Sequence, residues 1–207
     1  TRSGKVLRGT MRRIADGDRS LRAGGWTPES RMITPSLKDQ RVGVVGLGAI
    51  GEAVARRAEA MRMPVRWWGP REKDSPWPRA DSLLELARDS DILVVACKAD
   101  ESNRGLVSRE VIEALGPQGL LVNVARGQLV DEDALIAALK DGRLGQAALD
   151  VFEEEPTAAA RWADVPNTVL TPHTGGATTE AVQGMLMLLM QNLNAAFAGE
   201  PLKTPVA

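Results

Sequence analysis

Three glycines limit how this chain can fold more than any other feature. Gly46 and Gly48 stand between an apolar run, Arg41-Val42-Gly43-Val44-Val45, and a helical pattern from Ala49 to Met63, and Gly51 falls in the first turn of that pattern. A strand must therefore turn straight into a helix through a loop that is mostly backbone. Gly46 suits the tight turn, Gly48 lets another group approach the backbone, and Gly51 lets helix and strand pack closely. A helix opening on such a loop presents free N–H groups, Ala49 and Ile50 among them, and the positive end of its dipole. The spacing is that of the dinucleotide-binding fingerprint, in the strand–turn–helix setting which that fingerprint requires.

The alternation continues along the chain. Val65-Arg66-Trp67-Trp68 reads as a second strand ended by Gly69-Pro70, and Leu83 to Arg88 as a short helix. Asp91 to Ala96 is a third strand, Val107 to Leu115 a helix, and Leu120 to Val124 a fourth strand. Asp131 to Lys140 is a helix, Ala147 to Val151 a fifth strand and Thr168 to Leu170 a sixth. Apolar strands alternating with helices indicate parallel βαβ units, and wholly apolar strands fit a sheet covered on both faces. The fold class is α/β, a doubly wound parallel sheet of the Rossmann type. Local signals agree: Asp131 is an N-cap candidate, Glu132 and Asp133 place negative charge at the positive dipole end, and Gly142 suits the stop. Val130 and Leu135 are spaced for a hydrophobic staple.

Before the glycine loop, residues 5–22 are basic and loosely helical, with Val6, Leu7, Met11, Ile14 and Leu21 on successive turns. Gly24-Gly25 and Pro28 end that segment, and a loop runs to Pro35. The last helix, Thr179 to Ala198, carries Val182, Met185, Leu186, Leu189, Leu193, Ala196 and Phe197 at helical spacing, which reads as a core-packing face.

Composition excludes several classes of function. With 26 basic and 27 acidic residues the net charge is −1, so there is no basic field for nucleic acid or an acidic membrane. No fully apolar run exceeds the six residues of Met185 to Met190, far short of the ~20 residues of a spanning helix. A single cysteine, Cys97, makes an intrachain disulfide impossible and favours a cytoplasmic location. A single histidine, His173, leaves no Cys/His zinc set, and no metal is expected. Any chemistry that needs imidazole has one candidate.

The fingerprint calls for an acid at the end of the second strand, where it would accept from the adenosine ribose hydroxyls. This strand end reads Trp67-Trp68-Gly69-Pro70-Arg71. A carboxylate would repel a 2′-phosphate, so its absence beside Arg71 favours NADP over NAD, with Lys73 adding charge. Three later segments each put a polar or ionisable residue just past a strand, where doubly wound sheets hold ligands. They are Val122-Asn123-Val124-Ala125-Arg126-Gly127, Leu149-Asp150-Val151-Phe152-Glu153-Glu154-Glu155-Pro156 and Leu170-Thr171-Pro172-His173-Thr174-Gly175-Gly176.

With these segments in this order the chain resembles the D-2-hydroxyacid dehydrogenase family, which includes glyoxylate/hydroxypyruvate reductases and D-3-phosphoglycerate dehydrogenase. The resemblance implies a hydride transfer between NAD(P)H and a small 2-keto or 2-hydroxy acid. It implies Arg126, Glu155 and His173 as the catalytic triad and Asp150 as the holder of the nicotinamide carboxamide. Gly69, Pro70, Arg71, Cys97, Ala125 and Gly175 join the glycine loop as cofactor-binding positions. The chemistry suits those residues: an arginine fork pairs with a carboxylate, and an imidazole exchanges a proton with the carbonyl oxygen. A carboxylate holds the ring and favours its charged form.

After the third strand the family often reads Leu-Pro-Leu-Thr, where this chain has Cys97-Lys98-Ala99-Asp100. A formate dehydrogenase of the superfamily would carry Gln in place of Glu155. Relatives also begin with a substrate domain of roughly a hundred residues. The expected division is therefore a linker helix at 1–24, a dinucleotide-binding domain at 25–177, and a helix at 178–207 that returns to a missing substrate domain. The resemblance implies a homodimer. It leaves one alternative, a nucleotide-sensing regulator of the corepressor type that keeps a similar triad.

Overall fold

A computed structural model describes residues 20–27 and 36–205. In chain order the elements are β1 (Val42–Val45), α1 (Ala49–Ala60), β2 (Val65–Trp68), α2 (Leu83–Arg88), β3 (Ile92–Val95), α3 (Arg109–Leu115) and β4 (Leu120–Asn123). Then come α4 (Glu132–Lys140), β5 (Gln146–Leu149), α5 (Ala159–Trp162), β6 (Thr168–Leu170) and α6 (Thr179–Ala198). The six strands form one sheet in the order β2-β1-β3-β4-β5-β6, and every pairing is parallel.

The side-chain alternation of a strand explains how such short apolar runs build two cores. Val42, Val44, Ile92, Val94, Leu120 and Val122 go to one face, where α1 adds Val54, Ala55 and Ala58. Val45, Leu93, Val95 and Leu121 go to the other, where α2, α3 and α4 add Leu86, Ile112, Leu115, Leu135 and Leu139. Leu86, Leu93, Leu121 and Leu135 are all fully buried, so truncating any one to alanine costs about 2–5 kcal/mol.

The path reverses at β1. The chain leaves it toward β2, then returns to lay β3 on its other side. The strand ends there splay apart and open a crevice at the carboxyl edge, the usual ligand position in this architecture. The helix signals around Asp131 also hold: its side chain accepts from Ala134 N at 2.9 Å, and Gly142 takes φ +71° just past the C-cap.

Several expectations need correction. The helix expected from Val107 begins at Arg109, because Val107 pairs in parallel with Val130, a contact distant in sequence. The first helix stops at Ala60, three residues short of Met63, because Arg62 turns to φ +60°. The short helix α5 and two 3-10 turns, Glu101–Asn103 and Gly127–Leu129, were not foreseen.

The largest correction concerns α6. Its ends are well capped: Thr178 accepts from Ala181 N, Gly199 takes φ +68°, and Glu200 N donates to Ala195 O. Its apolar face is nevertheless not core. Met185, Met187 and Phe197 are 61%, 64% and 88% exposed, and Ala195 is the helix's one buried residue. The helix is apolar on most sides between Met185 and Met190, so spacing alone could not show which side packs, or on what. The expected linker helix at 5–22 lies outside the described residues except for 20–22, which are helical.

Candidate active site

The crevice between the ends of β1, β2 and β3 has a volume of about 730 Å³ and is lined by Gly46, Gly48, Gly69, Pro70, Arg71 and Cys97, among others. Each glycine of the loop has its own physical cause. Gly46 sits at φ +90°, and a Cβ there would lie 2.5 Å from the Cα of Cys97, across the switch between β1 and β3. At Gly51 a Cβ would lie 2.0 Å from Gly46 O, so only glycine lets α1 rest against its own loop. At Gly48 a Cβ would meet nothing within 4 Å. Its bareness keeps space open in front of the first turn of α1, where Ala49 and Ile50 bring their N–H groups. An opening kept clear at Gly48, a helix N-terminus behind it and a crevice of this size fit a nicotinamide dinucleotide.

Two basic residues behave differently there. Lys73 Nζ donates to Leu47 O at 2.7 Å and pairs with Glu52 at 2.5 Å, so its charge ties the loop to α1 and does not face the crevice freely. Arg71 lies exposed in the crevice wall. Cys97 is half-buried, and burial pushes its thiol up, which suits packing against Gly46 and not nucleophilic attack.

The ionisable residues gather farther along the same edge, past β4, β5 and β6. Asn123, the last residue of β4, is buried and uses its amide to shape the turn that follows. Its Oδ1 accepts from Ala125 N at 3.0 Å and its Nδ2 donates to Arg126 O at 2.9 Å. Ala125 is thereby buried, and Arg126 is left exposed. Gly127 follows because a Cβ there would lie 1.9 Å from the backbone of Phe152. The Arg126 turn therefore lies directly on the segment that leads to Glu155.

Glu155 bridges two elements. Its Oε1 accepts from Phe152 N at 3.0 Å, and its Oε2 lies 2.6 Å from His173 Nδ1. Burial pushes the Glu155 carboxyl up. The hydrogen bonds with His173 and Phe152 N–H and the charges of His173 and Arg126 outweigh it, holding the carboxyl below the ordinary carboxylate range. A carboxylate accepts, so Nδ1 carries the proton and Nε2 is left for another partner.

His173 itself has φ +48°, a left-handed conformation uncommon outside glycine. Asp150 holds that turn. Its carboxylate is buried and accepts from Thr171 Oγ1 at 2.5 Å, Thr174 N at 3.0 Å and Gly175 N at 2.8 Å. Charge-assisted bonds of this kind offset the strain.

The structure thus brings Arg126, Glu155 and His173 to one place. It sets Asp150 and Gly175 beside His173 and Ala125 beside Arg126, and Gly46, Gly48, Gly69, Pro70, Arg71 and Cys97 line the crevice, whereas Ala49, Ile50 and Gly51 form the first turn of α1 behind it. Asn123 and Thr171 escaped notice in the sequence. Their only signal is a polar side chain at the last position of an apolar strand or one past it. Among the described residues no three His, Cys, Asp or Glu side chains form a metal-binding group, and no helix is long and apolar enough to cross a membrane.

Residues 5–175 match the family model described as "D-isomer specific 2-hydroxyacid dehydrogenase, NAD binding domain". The hydroxyphenylpyruvate reductase of Plectranthus scutellarioides is 44% identical over 97% of this chain and 64% of its own length. The glyoxylate/hydroxypyruvate reductase A of Arabidopsis thaliana is 44% identical over 95% of this chain and 63% of its own. The chain therefore spans just under two thirds of these curated relatives. Among solved structures, a 2-hydroxyacid dehydrogenase from Ketogulonicigenium vulgare Y25 is similar with a TM-score of 0.88 and 42% identity, covering 100% of this chain and 67% of that one. An NADPH-dependent glyoxylate/hydroxypyruvate reductase from Sinorhizobium meliloti, solved with NADP and malonate, is similar with a TM-score of 0.89 and 35% identity, covering 100% of this chain and 66% of that one.

Proposed function

The chain belongs to the D-isomer-specific 2-hydroxyacid dehydrogenase family, by its NAD-binding domain, and from that premise we propose that it carries the dinucleotide site and the acid/base group of a 2-keto acid reductase. The reaction joins a 2-keto acid, NADPH or NADH and one proton to give the 2-hydroxy acid and the oxidised dinucleotide. The observation that carries this reading is the 2.6 Å contact between His173 Nδ1 and Glu155 Oε2, at the same sheet edge as the glycine crevice. When bound, the reduced nicotinamide supplies the hydride.

The remaining roles fall to residues of this chain. Gly46, Gly48 and the first turn of α1 would hold the pyrophosphate, and Ala125, Asp150 and Gly175 would border the nicotinamide. Arg126, exposed past β4, pairs its planar fork with the substrate carboxylate and so orients the carbonyl. Nε2 of the imidazolium of His173 donates a proton to the carbonyl oxygen; in oxidation the neutral ring takes it back. Glu155 keeps Nδ1–H in place in both states and balances the charge of the imidazolium.

Arg71 supports a preference for NADP, since the second strand ends without the acid that would repel a 2′-phosphate. The similar reductase from Sinorhizobium meliloti is NADPH-dependent. Glyoxylate, hydroxypyruvate and hydroxyphenylpyruvate are the substrates that the relatives' names suggest. The bare apolar face of α6 belongs, in this reading, against a substrate-binding domain, with residues 25–177 as the dinucleotide domain. A homodimer is part of the same reading.

The test is oxidation of NADPH and NADH by the enzyme across these three acids. Turnover with NADPH exceeding that with NADH supports the proposal. Equal or better catalytic efficiency with NADH refutes the NADP preference, and no dinucleotide binding refutes the whole.

A further inference from the structure

Glu132 stands at the first position of α4, where an acid needs no reason beyond the helix dipole. The structure gives it another. Its side chain is 5% exposed, and both oxygens are spoken for. Oε2 accepts from the backbone N–H of Glu153 at 3.0 Å, and Oε1 accepts from Arg161 Nε at 2.5 Å. Arg161, on α5, sends its Nη2 to Asp133 at 2.8 Å. A carboxylate buried to this degree is costly unless it is paired and hydrogen-bonded. Here the pairing fastens one particular peptide unit.

That unit is Phe152–Glu153: the Arg126 turn rests on it directly, and Glu155 rests on the preceding peptide, Val151–Phe152, which shares the Cα of Phe152. The N–H of Phe152 donates to Glu155 Oε1, whose other oxygen meets His173. The carbonyl and following nitrogen of the same segment press on Gly127, where a Cβ would lie 1.9 to 2.3 Å from these atoms. Gly127 is the residue directly after Arg126. A movement of the Phe152–Glu153 peptide would therefore displace Glu155 from His173 and shift the Arg126 turn together.

We propose that Glu132 is a positioning residue for the triad. It fixes the Phe152–Glu153 peptide, with Arg161 as its counter-charge, and so sets both the Glu155–His173 contact and the placement of Arg126. This rests on the dehydrogenase reading for its catalytic consequence, but not for its structural one. The glycine crevice, where the pyrophosphate and adenosine ends belong, lies at the other end of the sheet edge, so most of the cofactor's contacts are untouched.

His173 is the only histidine in the sequence, so nitrogen NMR of the imidazole, on chain freed of any histidine tag, reports one ring without assignment. The variants are Glu132→Ala, which removes the acceptor, and Glu132→Gln, which keeps a carbonyl for the Glu153 N–H. Where Glu132→Ala fails to fold, Glu132→Asp, one methylene shorter, replaces it. The wild type is expected to hold the neutral ring as the Nδ1–H tautomer. Glu132→Ala or Glu132→Asp is expected to shift it toward Nε2–H, and Glu132→Gln to stay close to wild type. In turnover, the same Ala or Asp variant is expected to lose about 10-fold or more in kcat, with NADPH affinity within about two-fold of wild type. Loss of thermal stability with an unchanged His173 tautomer would overturn the proposal and leave Glu132 purely structural. Equal tautomer shifts in Glu132→Gln and Glu132→Ala would also overturn it. Absence of turnover in the wild type would count against the dehydrogenase reading alone, because the tautomer measurement needs neither cofactor nor substrate.

Discussion

Replacing glycines of the loop one at a time separates folding from binding. In Gly51→Ala the new Cβ would lie 2.0 Å from Gly46 O, and 3.1 Å from both Gly46 C and Val44 Cγ1. The close neighbour is backbone, so no rotamer change relieves it. Helix α1 must retreat from β1 by about 1 Å, loosening the contacts of the buried residues Val54, Ala55 and Ala58. Overpacking a tight core costs about 1–3 kcal/mol, and a clash with backbone belongs at the upper end. At about 3 kcal/mol the folded-to-unfolded ratio falls by about two orders of magnitude, and Tm by roughly 6–12 °C for a domain of this size.

Gly48→Val is the opposite case. Gly48 has φ −87°, and a Cβ there meets nothing within 4 Å. Stability should change by no more than about 1 kcal/mol, the ordinary cost of altering an N-cap. The branched side chain would instead stand in the crevice and weaken the nucleotide by about 10- to 100-fold. Urea denaturation followed by tryptophan fluorescence measures the first effect, and NADPH titration the second. Trp67 and Trp68 line the crevice, so the same fluorescence reports both. A Gly51→Ala protein as stable as wild type would refute the packing argument. A Gly48→Val protein with wild-type affinity would refute the placement of the dinucleotide.

Three further expectations concern single side chains. Arg71→Glu should raise Kd for NADPH by about 10-fold or more and leave that for NADH within about three-fold, because only the former carries the 2′-phosphate; equal effects on both would sink the NADP assignment. Asp150→Ala leaves the N–H groups of Thr174 and Gly175 without their acceptor, at about 1–3 kcal/mol for each one left buried and unsatisfied. The turn holding His173 should then exchange its amide hydrogens faster than in wild type, and unchanged exchange would contradict the role given to Asp150. The Glu155 carboxyl is held below its ordinary value of 4.5, so its contribution to stability is complete above that pH and is lost as pH falls through the lowered folded value. Urea midpoints from pH 7 downward should therefore show wild type losing its advantage over Glu155→Gln in acid, and a constant gap would be the contrary result.

What the sequence made legible was local or strictly periodic. The strands of this sheet are buried on both faces, so each is an apolar run, and the glycine loop shows as a strand–turn–helix spacing, even though the contact that demands Gly46 is with distant Cys97. His173 and Arg126 stand just past apolar strands, where side chains reach the ligand edge. The features that stayed hidden depend on long-range contacts. Val107 looks helical in the sequence because its bridge partner, Val130, is 23 residues away. Glu132 was read as a dipole acid because its partners, Glu153 and Arg161, lie across the fold. Lys73 was counted as free charge because nothing local shows that it reaches back to Glu52 and Leu47. The apolar pattern of α6 correctly marked a helix that wants burial, but periodicity carries no information about what does the burying.

The role of His173 is tested most directly by His173→Ala in the enzyme, with NADPH binding and 2-keto acid reduction measured on the same preparation. Kd for NADPH is expected to stay within about two-fold of wild type while kcat falls by about 10²- to 10⁴-fold, the range of a lost general acid. Reduction at the wild-type rate by His173→Ala would contradict it, as would a wild-type protein that binds no dinucleotide.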